Sequence, residues 1–185
     1  MNRSAIAAAI SAAMLLAATS AFAADSIKVT VGHMCCGSCK AAATAGIKTL
    51  PFADSVTIDG TVATITAKAD QKVDVIALRD ALSKAGFPAK EIMVSTPVTL
   101  TVGHMCCAGC ANELKTGMAQ VRSNLLDKEH ITVDQAAKTV TIQPVAGMSM
   151  NLIPILRQME NAGYSACKGT ITAASAGRST KVAAK

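Results

Sequence analysis

The chain has 185 residues, enough for one or two small domains, and 51% of them are apolar, enough for a buried core. Aromatic residues make up only 2%, with no Trp. That argues against modules that stack nucleic-acid bases on aromatic platforms. The formal charge of +6 sits largely at the ends: without Arg3, Arg178, Lys181 and Lys185 about +2 is left between them, so no basic binding face is evident.

The N-terminus reads as a leader. Asn2-Arg3 is a short positive segment, Ala5 to Ala18 is apolar, and Ala21-Phe22-Ala23 is a small-x-small cleavage box. This is the pattern of a secretory signal peptide over residues 1–23. An N-terminal membrane anchor is the alternative, because the apolar stretch nearly reaches spanning length. The cleavage box favours export, to a bacterial periplasm or beyond it.

After the leader, IKVTV around Ile27–Val31 alternates apolar and polar residues and predicts a strand with one buried face. It runs into the octet GHMCCGSC, Gly32–Cys39. A helix is expected around Cys39–Leu50. Then comes a hairpin, SVTID and TVATITA, turning at Asp59-Gly60, the pair favoured for a two-residue type I′ turn. Val75, Leu78, Leu82 and Ala85 recur at helical spacing, and Gly86 marks the end of that helix. A strand over Glu91–Ser95 closes the series, and only Thr96-Pro97 precedes the next element.

The order then repeats. The octet GHMCCAGC spans Gly103–Cys110, offset by 71 residues and identical at six of eight positions. VTLTV precedes it, and a helix is expected around Cys110–Val121. The later offset grows to 77, through extra residues near Arg122–His130 and a longer hairpin turn, places where loops tolerate insertion. Asn151 can cap the second helix of this copy with Pro154 in its first turn, and Gly163 matches Gly86. A last strand is expected over Ala166–Thr172. Residues 173–185 lack apolar periodicity and read as a disordered basic tail.

The order β-α-β-β-α-β, twice, is the split βαβ, ferredoxin-like motif. The expected fold class is α+β: two tandem ferredoxin-like βαββαβ domains, each a four-stranded antiparallel sheet covered by two helices. The boundaries are 24–96 and 97–172.

Six of the seven cysteines lie in the two octets. Cys36-Gly37-Ser38-Cys39 and Cys107-Ala108-Gly109-Cys110 are C-x-x-C pairs at a strand-to-helix junction. Unpaired N–H groups at a helix start favour thiolate, and thiolate selects Cu(I), Zn(II) and similar soft ions. Met34 to Cys39 and Met105 to Cys110 both fit M-x-C-x-x-C. In that motif and its topology the chain resembles the heavy-metal-associated domain of copper chaperones, metal-pump N-termini and the periplasmic mercury-binding protein. The resemblance covers both repeats. It implies soft-metal binding by Cys36 with Cys39, and separately by Cys107 with Cys110, and a core role for Met34 and Met105.

Two departures from that family matter. His33 and His104 stand where it has Gly, and Cys35 and Cys106 where it has Thr or Ser. Cys35 and Cys106 are either third ligands or small buried residues. His33 and His104 rank behind them as ligands, exposure being the plainer reading. Phe87 and Tyr164 fall where the family's last loop approaches the metal, and packing is the favoured role for both. Cys167, aligned with Lys90, is left open between burial and the second site. His130 is expected to be exposed.

The resulting expectation is an exported soft-metal-binding protein: chaperone, scavenger or buffer. Its ion would be Cu(I) first, with Zn(II) or Hg(II) as alternatives. A metal-transporting membrane protein or another metallochaperone would be its partner, with no nucleic acid and no spanning segment in the mature form. The alternative is a thiol-disulfide redox protein using the same pairs. No acid–base set or phosphate loop stands out, so an enzyme is not expected.

Overall fold

A computed structural model of the chain describes residues 26–69, 71–121 and 128–171. The leader, the tail and most of the inserted segment near Arg122 lie outside these residues.

The first repeat consists of β1 (Ser26–Val31), α1 (Gly37–Lys48), β2 (Ala53–Asp59), β3 (Val62–Ala67), β4 (Val73–Asp74), α2 (Val75–Lys84) and β5 (Ala89–Val94). The second consists of β6 (Val98–Val102), α3 (Ala108–Ala119), β7 (Ile131–Asp134), β8 (Thr139–Ile142), β9 (Met150–Asn151), α4 (Leu152–Asn161) and β10 (Ala166–Ile171), with a 3₁₀ turn at Lys128–His130. The fold is α+β, and the βαββαβ order occurs twice.

Alternation explains the strands. Ile27, Val29 and Val31 point inward from β1, and Val98, Leu100 and Val102 from β6. β1 pairs antiparallel with β3 and β5, and β6 with β8 and β10. Each repeat thus forms the expected four-stranded antiparallel sheet, in the orders β2-β3-β1-β5 and β7-β8-β6-β10. The helical spacing holds as well: Val75, Leu78 and Leu82 are buried on α2, and Leu152, Ile155 and Met159 on α4. Gly86 (φ 87°) and Gly163 (φ 84°) follow the two helices in the left-handed region. Phe87 N–H then reaches back to the Leu82 carbonyl, and Tyr164 N–H to that of Met159, each at 2.8 Å. This is the wrapped C-terminus for which glycine is suited.

Three features differ from expectation. The first hairpin turns on Gly60-Thr61, and only Gly60 has positive φ (54°); a type I′ turn needs positive φ at both central residues. α1 and α3 begin two residues earlier than expected, with Cys36 and Cys107 in extended backbone at their N-caps.

The third difference joins the repeats. Each sheet has a fifth, two-residue edge strand taken from the other repeat. Val73 and Asp74 of β4 pair with Ile171 and Thr170 of β10; Met150 and Asn151 of β9 pair with Val94 and Met93 of β5. Asp74 Oδ1 accepts hydrogen bonds from Ile76 and Ala77 N–H, capping α2, and from Gly169 N–H in the other repeat. Asn151 Oδ1 does the equivalent, accepting from Ile153 and Ile92 N–H. α2 therefore leans chiefly on β10, and α4 on β5. Arg79 of α2 donates to Glu160 of α4 at 2.8 Å across the same junction. One connected apolar core runs through both repeats.

Candidate metal centre

Both octets occupy the same place, between the first strand and first helix of a repeat. Met34 and Met105 turn inward and are buried at 7% and 3% exposure, as the core reading expects. The thiols stay outside. Cys35, Cys36, Cys106 and Cys107 are exposed, and Cys39 and Cys110, in the first turn of their helices, are half-buried. Cys35 and Cys106 are thus not core filler.

In the first loop Cys36 Sγ lies 3.1 Å from Cys39 Sγ, and Cys35 Sγ lies 3.7 Å from Cys39 Sγ. These three sulfurs form one cluster. His33 is exposed and is not in that cluster. Its ring packs beside Phe87 instead, with centroids 5.7 Å apart. In the second loop Cys107 Sγ is 3.4 Å and Cys106 Sγ 3.6 Å from Cys110 Sγ. Here a nitrogen of His104 and the sulfurs of Cys106 and Cys110 lie within 4.8 Å of one another. The loops therefore gather different atoms: three sulfurs in the first, and an imidazole with sulfurs in the second.

The thiols are also polarised differently. Cys36 is lowered to about 6, first by the Ser38 hydroxyl at 3.0 Å and then by Cys39. Cys39 is pushed up, chiefly by its contact with Cys36. In the second loop Gly109 replaces Ser38, and the order inverts. Cys110 is lowered to about 6, by the backbone of Cys106, then the Cys107 side chain, then the Tyr164 hydroxyl. Cys106 is pushed up, first by Cys110. In each loop one thiol is thus shifted toward thiolate, the form that binds soft ions.

The aromatic pair divides too. Phe87 and Tyr164 are both buried, in line with packing roles. Tyr164 has a second use: its hydroxyl donates to Glu113 at 2.9 Å and bears on the Cys110 thiol. The bond to Glu113 holds the phenol well above its ordinary range. Only the aligned positions of Phe87 and Tyr164 hinted at this.

Cys167 is exposed and outside both clusters. It occupies the bulge where β10 slips against β6, and Lys90 occupies the matching bulge of β5. The Cys167 sulfur lies 3.2 Å from where a Cβ on Gly103 would stand, so it abuts the foot of the second loop. It also lines a groove of about 620 Å³ beside α1 and α2. His130 departs from expectation: it is half-buried where the 3₁₀ turn enters β7, and its Nδ1 is enclosed without a partner among the described residues. It is remote in sequence from the loops and belongs to neither cluster.

The donor sets fit a soft ion. Sulfur separations of 3.1 to 3.7 Å are close to the roughly 3.8 Å that two sulfurs span on one tetrahedral ion with metal–sulfur bonds of about 2.3 Å. Thiolate and imidazole are also the ligands such ions prefer.

Residues 28–88, within the first repeat, match the heavy-metal-associated domain. No curated protein matches the chain. Among solved structures, the N-terminal soluble domains of Bacillus subtilis CopA are 18% identical, with 78% of this chain and 92% of that chain covered and a TM-score of 0.34. The water-soluble region of the P-type ATPase CopA from Bacillus subtilis is 20% identical, covering 83% of this chain and 97% of that chain, with a TM-score of 0.33. Heavy-metal binding is the class of activity that the family match and the cysteine clusters support. Among the described residues no helix is long and apolar enough to cross a membrane.

Proposed function

We propose that this is an exported soft-metal-binding protein that holds one ion in each cysteine loop and serves as a chaperone, scavenger or buffer. The observation that carries the reading is the clustering of Cys35, Cys36 and Cys39 at a helix start, inside a segment that matches the heavy-metal-associated domain. The repeated loop extends the reading to residues 97–172 as a second domain of the same kind. Cys36 with Cys39 and Cys107 with Cys110 are the principal ligands. Cys35 and Cys106 add a third thiol, and each lies within 4 Å of its loop's last cysteine.

The chemistry asked of the chain is modest. A loop must offer thiolate, accept an ion without unfolding, and release it. Exposed sulfurs on a loop meet the first need and allow a partner's thiols to approach. A helix N-terminus supplies fixed positive dipole for the charge that gathers there. No acid–base step is needed, so the protein acts as a binder rather than an enzyme. The signal peptide at residues 1–23 supports a periplasmic or secreted location. A metal-transporting membrane protein or another metallochaperone is the partner proposed from the resemblance. Cu(I) is the first candidate ion, ahead of Zn(II) and Hg(II).

The test is metal titration of the reduced protein against the Cys36→Ser/Cys107→Ser double variant. The account expects tight binding of a soft ion by the parent and its loss in the variant. A thiol-redox protein would instead cycle its C-x-x-C pairs with a partner and need no metal.

A further inference from the structure

We propose that the two loops are tuned to different ions: His104, Cys106, Cys107 and Cys110 form a four-donor site for Zn(II), and Cys35, Cys36 and Cys39 a three-thiolate site for Cu(I). This rests on the soft-metal reading above and assigns each loop its cargo.

Three observations carry it. The first is the fate of the two histidines. They hold identical positions in the octets, yet His33 packs on Phe87, while a His104 nitrogen lies within 4.8 Å of the Cys106 and Cys110 sulfurs. Cys107 is outside that group of three, but its sulfur is 3.4 Å from that of Cys110, and its thiolate would complete the Cys₃His set of tetrahedral zinc. Sulfur donors without nitrogen suit Cu(I).

The second observation is the residue aligned with Phe87. In the second repeat it is Tyr164, whose hydroxyl donates to Glu113, three residues beyond Cys110 on α3. That ring is anchored toward α3, on the side of the second helix-borne thiol. The first repeat has no hydroxyl at this position and uses the ring to hold its histidine.

The third is charge. Three thiolates leave two negative charges uncompensated on Cu(I) but only one on Zn(II). The loop with the larger excess has a lysine at its foot: Lys90 Cε lies 3.2 Å from where a Cβ on Gly32 would stand. In the second loop the same bulge position is the uncharged Cys167. Lys90 is exposed, so its contribution is modest, but its sign matches the assignment.

The experiment uses Co(II) as the spectroscopic stand-in for Zn(II) on the reduced protein, with Zn(II) competition, Cu(I) affinity against a Cu(I) chelator, and far-UV circular dichroism to check folding. The expected result is one Co(II) per chain with intense tetrahedral d–d bands and sulfur charge-transfer bands, displaced by Zn(II). His104→Asn should shift those bands and weaken Zn(II) by roughly 10- to 100-fold or more, at least the range seen when a ligand's supporting shell is lost. His33→Asn should leave both unchanged, and neither variant should alter Cu(I) affinity. If Cu(I) binds but the two histidine variants behave alike, or neither moves the Co(II) spectrum, this inference is overturned and the soft-metal reading survives. If no Cu(I), Zn(II) or Co(II) binds, both fall.

Discussion

The two loops differ at two of eight residues, yet their low-pKa thiols lie at opposite ends of the C-x-x-C pair. In the first it is Cys36, at the N-cap; in the second it is Cys110, inside the helix. The cause is local. Ser38 places a hydroxyl on Cys36, and Gly109 has none to offer. The backbone of Cys106, with Cys107 and Tyr164, then acts on Cys110 instead. A duplicated motif can therefore keep its cysteines and change which thiol is lowered.

The largest test of the comparison is to separate the repeats. Residues 24–96 alone would lose β9 and the start of α4 from the face of β5. Leu152 and Ile153 are buried at that start, and each such side chain contributes about 1.5–3 kcal/mol on burial. The isolated first repeat should lose at least about 3 kcal/mol against chemical denaturation. Equal stability of the fragment and the whole chain would show that the edge exchange contributes nothing.

Next in size is a position where the repeats are not interchangeable. Gly169 of β10 aligns with Ile92 of β5. A Cβ on Gly169 would stand 2.5 Å from Val75 Cγ2 and 3.0 Å from Leu100 Cδ2. Gly169→Ala should destabilise by about 1–3 kcal/mol, the usual cost of overpacking, as measured by denaturant midpoint. An unchanged midpoint would mean that α2 does not press on that strand.

The thiol inversion itself can be broken by Ser38→Gly. It should raise the Cys36 pKa, so that the first loop's alkylation at pH 7 slows by about fivefold or more. In the parent, alkylation of Cys36 and Cys110 should persist as pH falls and fade only through about pH 6, because a lowered thiol stays ionised above its pKa. Mass mapping of labelled peptides reads this directly. No change at Cys36 would remove Ser38 from the account.

The smallest effect is Tyr164→Phe. Its hydroxyl is the third influence on Cys110, and its one hydrogen also serves Glu113. Cys110 reactivity at pH 6 to 7 should fall by about twofold. A change as large as that of Ser38→Gly would reverse the ranking of causes in the second loop.

Much of this was legible in the sequence. Strand alternation at Ile27–Val31, the helical spacing of Val75, Leu78 and Leu82, and the glycine stops at Gly86 and Gly163 each report a local backbone requirement. The duplicated M-x-C-x-x-C located the thiols. The edge exchange was not legible, because β4 and β9 are two residues each and carry no period. The type I′ expectation for the first hairpin fails because Asp59 pairs with Val62, moving the turn one residue on. No sequence signal marks the enclosure of the His130 Nδ1. The split between His33 and His104 was hidden as well. Both sit in the same GHMCC string, and only their ring and sulfur neighbours, distant or loop-dependent, tell them apart.

The most direct test of the central claim is anaerobic native mass spectrometry of the reduced protein, titrated with Cu(I), Zn(II) and Hg(II) and run beside the Cys36→Ser/Cys107→Ser variant. The account predicts up to two soft ions on the parent and their loss from the variant. Binding of none of the three ions above background, or equal binding by the variant, would contradict it.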